Sequence, residues 1–252
     1  MVTSRLDTNF TDAFIENLAL GLAIALIFLW VTSLAWVLLV PVVWWQMPVW
    51  VVVRTFLHTG LFILAHDAMH ENLVRRSPQL NHGLGRFTVG LYAGLSYHHC
   101  RQHHRKHHQH PAQIGDPDFH DGLHTHPIAW YCYFMRNYFL IKQFLIFLLG
   151  VIGVAIALNL WWDVPFERGF IFYLLPLLLS SIQLFIFGTY FPHGQGRMVT
   201  LPTSCPRSLQ YLWSLVSCYH FGVYHHEHHQ APRQPWFLLP HLPLLNNIVI
   251  KA

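Results

Sequence analysis

Of 252 residues, 54% are hydrophobic and only 10% charged, for a net charge of +4. A soluble domain carries about 25% charged residues, so this chain lacks the polar surface that would keep it dissolved. Composition therefore excludes an ordinary soluble enzyme, and no nucleic-acid partner is expected. The length suits a single all-α membrane domain of about four transmembrane helices with a cap, with no room for a second sizeable domain.

The opening stretch MVTSRLDTNFTDAFIENL is polar and acidic and does not read as a cleaved signal. Residues 18–40 are 23 positions without a charge, enough at about 1.5 Å per residue to cross a ~30 Å hydrocarbon core. Pro41 and the Trp44–Trp45 pair follow, as expected at a membrane interface. Residues 48–65 form a second apolar run that returns across the membrane and delivers His66. Arg54 and His58 interrupt it. An ionisable group inside a span tends to be functional, but snorkelling toward the outer interface is the favoured expectation for Arg54.

Residues 66–129 are mostly polar. The weaker apolar stretch at 87–97 is too short to span and reads as re-entrant or interfacial. Residues 128–139 are aromatic and amphipathic, expected at the surface. Residues 144–162 form the third span, ending in the Trp161–Trp162 pair. A short DVPFERG connection leads to the fourth at 170–190, and 209–224 runs to the last histidine group. Every histidine-rich stretch then falls on one side, with Arg75, Arg76, Arg86, Arg101, Arg105, Lys106, Arg197, Arg207 and Arg233, and the positive-inside rule makes that side cytoplasmic. Cys100, Cys132, Cys205 and Cys218 show no CxxC spacing and suggest no disulfide framework.

The histidines carry the chemistry. In HDAMH, His66 and His70 stand at i, i+4 on one helical face, suited to share a metal. Residues 98–111, HHCRQHHRKHHQHP, hold seven histidines in fourteen positions. Among them His104, His107 and His108 stand at i, i+3, i+4, although a register beginning at His103 is also geometrically possible. HHEHH repeats the pattern with His225, His228 and His229. These eight candidates exceed what one ion uses, since structural zinc takes four ligands, so two ions are expected. Imidazole suits iron, copper, zinc and nickel alike. Open nitrogen-rich coordination, with no HExxH and no general-base carboxylate in a box, favours iron able to activate dioxygen.

Bound imidazoles usually donate their second N–H to a carboxylate or carbonyl. Asp67, Asp116, Asp118 and Glu227 are the available acids, and at least two are expected to orient ligands. His98, His99, His103 and His110 are assigned to supporting or surface roles. His220 is a candidate supporting residue, and His226 a closer case than those four.

The boxes resemble those of the membrane fatty acid desaturase and hydroxylase superfamily. Within it, HDAMH (66–70), HRKHHQH (104–110) with DPDFH (116–120), SIQLFIFGTYFPH (181–193) and CYHFGVYHHEHH (218–229) resemble the bacterial and cyanobacterial β-carotene ketolases. The similarity runs from about residue 58 to 240. It implies a histidine-ligated di-iron centre, with the eight boxed histidines as ligands and His193 as a ninth, a position that sequence alone would make a cap or loop residue. It also implies oxidation of the β-ionone ring beside its double bond, ending in a 4-ketone after two O2-dependent hydroxylations and loss of water. The carotenoid would enter from the lipid. Electrons would come from an external donor such as a ferredoxin, since no flavin, haem or Fe–S motif is present. A carotenoid or fatty acid hydroxylase or desaturase with the same boxes is the alternative, and a divalent-metal transporter the competing class.

Overall fold

The computed structural model describes residues 3–194 and 204–242, with side chains from residue 12 onward. Arg197 lies outside the described residues. Every regular element among the described residues is helical. Four helices are long and apolar enough to cross a membrane: Asp12–Leu39, Trp44–Met69, Ile141–Trp162 and Phe166–Gly194.

The first belongs to α1 (Thr3–Leu39), which stops short of Pro41. Its last carbonyls are not left bare: Arg168, from the start of the fourth span, donates to Leu38 O at 2.8 Å and Val40 O at 3.3 Å. A cation there also opposes the negative end of the helix dipole. The chain turns back into α2 (Met47–Met69) with Pro48 in the first turn. From Leu57 to Met69 nearly every α2 residue is buried, because α1, α3 and α7 all pack around it. That is why this helix reads as apolar on all sides. The tightest approach is at Gly60, where a Cβ would sit 2.5 Å from the Tyr219 hydroxyl and 2.6 Å from Leu26.

The apolar stretch at 87–97 is not one re-entrant segment. It straddles the end of α3 (Pro78–Ala93), a three-residue break and the start of α4 (Tyr97–Gln109). Gly94 adopts φ 63° and closes α3, and the Ser96 hydroxyl accepts the His99 N–H to open α4. Glycine and serine set the boundary where hydropathy sees continuity. The surface helix α5 (Pro127–Tyr138) and the span α6 (Ile141–Trp162) follow, and α6 buries none of its residues. The fourth span, α7 (Phe166–Gly194), is wound wide in two π segments, Phe170–Leu174 and Ile186–Gly194, the second containing Pro192. Two short helices, α8 (Arg207–Cys218) and α9 (His225–Gln230), complete the cap. Trp44, Trp45, Trp161 and Trp162 all lie exposed at the end opposite the histidines, the aromatic belt expected there.

Arg54 does not snorkel. Its side chain is fully buried, with the guanidinium 4.8 Å over the Trp30 ring. It donates to Trp30 O at 2.5 Å, Ser33 Oγ at 2.8 Å and Phe172 O at 3.2 Å. Those acceptors belong to α1 and to the first π segment of α7, where wide winding frees a carbonyl. The arginine thus ties three spans together, which the alternative of reaching for the interface would forfeit. Beside it, Trp30 Nε1–H donates to His58 Nδ1 at 3.1 Å, so His58 Nε2 carries the proton that meets Tyr92 O at 2.7 Å. His58 is a neutral strut. Replacing Arg54 by Leu removes three buried hydrogen bonds and costs about 3 kcal/mol. Thermal unfolding of the purified protein is expected to show a clearly lower midpoint for Arg54→Leu, with Arg54→Lys in between.

Candidate metal centre

Helix ends bring the histidines together. His66 lies in the last turn of α2, and His70 is the residue that ends the helix. This terminus is pinned by Asn81, which accepts from Leu73 N and Val74 N and donates to Ala68 O at 2.8 Å. α4 presents His104, His107 and His108, and α9 presents His225, His228 and His229. The second π segment of α7 carries His193 in its last turn.

All nine fall into two groups. In one, His66, His70, His104, His108 and His228 place one ligand nitrogen each within 4.8 Å of the others. In the other, His107, His193, His225 and His229 do the same. Each i, i+3, i+4 box is split. The i, i+4 pair of α4 enters the first group and its middle histidine the second, whereas the pair of α9 enters the second and its middle histidine the first. Contacts run through Nε2. His104 meets His70 at 2.7 Å and His108 at 3.0 Å, and His108 meets His228 at 3.1 Å. In the second group His229 meets His107 at 3.1 Å and His225 at 2.9 Å, and His225 meets His193 at 2.8 Å. The groups adjoin, with the His108 and His229 rings stacked at 4.3 Å.

Surrounding acids set the state of these rings. Asp116 is buried, accepts backbone N–H bonds from Ala112 and Asp118, and takes the His107 Nδ1–H at 2.9 Å. That fixes the tautomer: the inward Nε2 of His107 is a bare lone pair. Asp118 Oδ2 lies 3.8 Å from the same nitrogen, and Tyr138 donates to Asp118. Burial pulls the His107 imidazole down, but Asp118 and Asp116 outweigh it and hold it above its ordinary value. Four other grouped histidines go the opposite way. Burial, then the neighbouring imidazoles, pushes His104 and His228 well below the usual range and His108 to about 2. Burial, then His107, takes His229 to about 4. Neutral imidazoles with lone pairs converging on two points match a divalent cation, and five- and four-nitrogen groups suit the borderline metals that imidazole binds. The residues present fit a metal pair.

Other sequence candidates lie elsewhere or play lesser parts. Asp67 Oδ2 accepts the Trp236 N–H at 3.1 Å, and its Oδ1 is 3.9 Å from His66 Nδ1. Glu227 lies on α9 and makes no hydrogen bond to a grouped histidine among the described residues. His220 is buried, bonded to Ser214 Oγ at 2.7 Å and stacked on Trp236. His103 packs tilted against His99 at 4.1 Å and stands outside both groups. His98, His110 and His226 are exposed. Sequence reasoning gave no role to Asn81, Tyr138 and Trp236, which act through backbone ends and acids.

Residues 42–151 match the fatty acid desaturase family. The chain is 42% identical over 191 residues to a β-carotene ketolase of a Paracoccus species, covering 74% of each protein. It is 36% identical over 210 residues to β-carotene 4-ketolase 3 of Haematococcus lacustris, covering 75% of this chain and 60% of that protein. With a zeaxanthin 4-ketolase of Chlamydomonas reinhardtii it shares 38% identity over 190 residues, 73% of this chain and 41% of the relative. No solved structure matches. The chain belongs to the fatty acid desaturase family of membrane proteins. Within that family its relatives are the carotenoid ketolases.

Removing the Asp116 carboxylate frees His107 to turn. Asp116→Ala is expected to weaken metal retention about 10–100-fold, read as metal kept against graded chelator, while Asp121→Ala on the exposed loop leaves it unchanged. Acid acts on the metal-free protein through the depressed histidines. Unfolded, they take protons below about 6.5, whereas folded His108 and His229 resist to about 2 and about 4. The unfolded state binds more protons in that window, so stability falls as pH drops from about 6.5 toward 4. His107, raised, contributes with the opposite sign but is one ring against several. Thermal melts of metal-free protein across that range test this.

Proposed function

We propose that this chain is an O2-dependent carotenoid ketolase with two irons, held by His66, His70, His104, His108 and His228 on one side and His107, His193, His225 and His229 on the other. One observation carries the reading. An apolar cavity of about 70 Å³, walled by residues such as Phe62, Phe134, Leu184 and Phe221, opens on His66 and His104 of the first group and on His107 and His225 of the second. A second chamber of about 30 Å³ shares Phe62, Phe134, Tyr138 and Leu184 with it and runs between α3, α5 and α7 to Leu95 and Phe139. Their shared walls set apolar space beside both groups, which we take as the route by which an apolar ring approaches from the membrane. Both are smaller than a trimethylcyclohexene ring, so seating one requires those aromatic walls to swing aside. A larger apolar groove of about 360 Å³ between α1, α6 and α7 contains no histidine and is not the reaction site.

When bound, the metal pair supplies the activation of O2 toward an allylic C–H bond. The chain's own residues hold the ring with C4 toward the histidines, keep water out with Phe62, Phe134 and Phe221, and keep His107 oriented through Asp116. Each round consumes O2, two electrons and two protons, converts C–H to C–OH and releases water. A second round at the same carbon gives a geminal diol that loses water to the ketone. The electrons come from an external carrier such as a ferredoxin.

The chain acts as a single multi-pass membrane domain. The histidine end carries the arginines and lysine between the second and third spans, so it faces the cytoplasm. Expression in β-carotene-producing cells is expected to convert the pigment to 4-keto products, while His104→Ala leaves it unconverted at equal protein level. Anaerobically purified protein is expected to contain about two irons per chain, since five plus four imidazoles exceed one ion's needs. Complete conversion to hydroxylated pigment without a carbonyl overturns the ketolase reading in favour of a hydroxylase.

A further inference from the structure

Two kinds of opening reach the histidines, and they differ in chemistry. Besides the apolar passage there is an open depression of about 420 Å³ whose floor includes His70 and His108 and whose rim includes Arg105, Arg233, Glu71 and Gln109. No histidine of the second group lines it. Glu71 is the one acid in this lining, and both its oxygens are engaged: Oε1 with Arg101 at 3.0 Å and Oε2 with Arg233 at 3.7 Å. Arg75, itself 3.7 Å from Asp12, donates to Arg233 O at 2.6 Å and brings another guanidinium to the rim. Arg105 is exposed and, among the described residues, forms no ion pair. The rim is therefore net positive, directly over two imidazoles of the first group.

That combination selects the visitor. A polyene has no reason to enter a charged, wet depression, and a ring of guanidinium groups repels an incoming divalent cation, so this is neither the substrate passage nor a metal port. Building on the proposed function, which requires an outside reductant, we infer that this depression docks an acidic one-electron carrier protein, and that electrons enter through His70 and His108 to the first group. In each hydroxylation two reduced carriers are oxidised in turn, supplying the two electrons that with O2 and two protons give C–OH and water. Complementary charge speeds such encounters and makes them salt-sensitive. Imidazoles at the floor bring the centre to within a side chain of the docked surface.

The test uses the metal-loaded protein in nanodiscs with an acidic [2Fe–2S] protein as probe. Association with wild type is expected to weaken steadily between about 50 and 300 mM salt as screening shortens. Arg105→Glu is expected to weaken it at least about tenfold, while Arg105→Lys and Lys142→Glu, the latter at the exposed start of α6, leave it near wild type. Metal content and reduction of the bound metal by dithionite are expected to be unchanged in Arg105→Glu, with reduction by the carrier slowed. The inference is overturned if wild type does not bind the probe, if Arg105→Glu and Lys142→Glu weaken binding alike, or if a basic carrier binds equally well. Failure of wild-type cells to make any carbonyl pigment would instead sink the ketolase reading, and carrier binding is measured independently of it.

Discussion

The structure is organised around imidazole nitrogens that must face one another in a dry place. In each group a chain of four Nε2 atoms lies at contacts of 2.7–3.1 Å. Protonation does not relieve the crowding, because burial and mutual repulsion depress His104, His108, His228 and His229. Hydrogen bonding would relieve it only if alternate rings turned their proton inward, and Asp116 casts His107 as an acceptor by claiming its Nδ1–H. A cation at each focus would resolve the geometry, and on the proposed reading metal binding and assembly of the cap would be one process.

Splitting the boxes is the device that makes the assembly cooperative. Neighbours at i and i+4 lie over one another on a helix, while i+3 is rotated to the side. α4 and α9 each use the stacked pair for one group and the offset residue for the other, in opposite sense. Neither helix can shift without disturbing both foci. The α2 terminus, clamped by Asn81, and the π-wound end of α7 supply the remaining three histidines from elements that cannot slide, because the Arg54 and His58 bonds lock those spans deep in the membrane-level core.

The centre sits between two environments that divide its tasks. On the lipid side, Phe62, Phe134, Leu184 and Phe221 form an apolar wall beside the histidines, which under the proposed function would accept an apolar ring and exclude water. On the opposite side the first group reaches a polar surface ringed by arginines. On the proposed reading, a greasy substrate and a charged partner would reach different histidines of the centre from different directions and would not compete.

The sequence by itself determined the class, the four spans and the eight boxed histidines, because hydropathy and the i, i+3, i+4 spacing are local properties of the chain, while His193 entered only through the family resemblance. It also offered Asp116 as one of four acids, and its place beside His107 follows from the short turn after α4. The boundary at Gly94, the buried Arg54 and the division of each box between two foci were decided only in three dimensions. Spacing states which residues share a helical face, but which ring joins which group depends on the crossing of α4 and α9, set by packing of residues far apart in the chain. Likewise a charge within an apolar run reads as a snorkelling group until a π turn on another span offers it a free carbonyl, and no local pattern announces that partner.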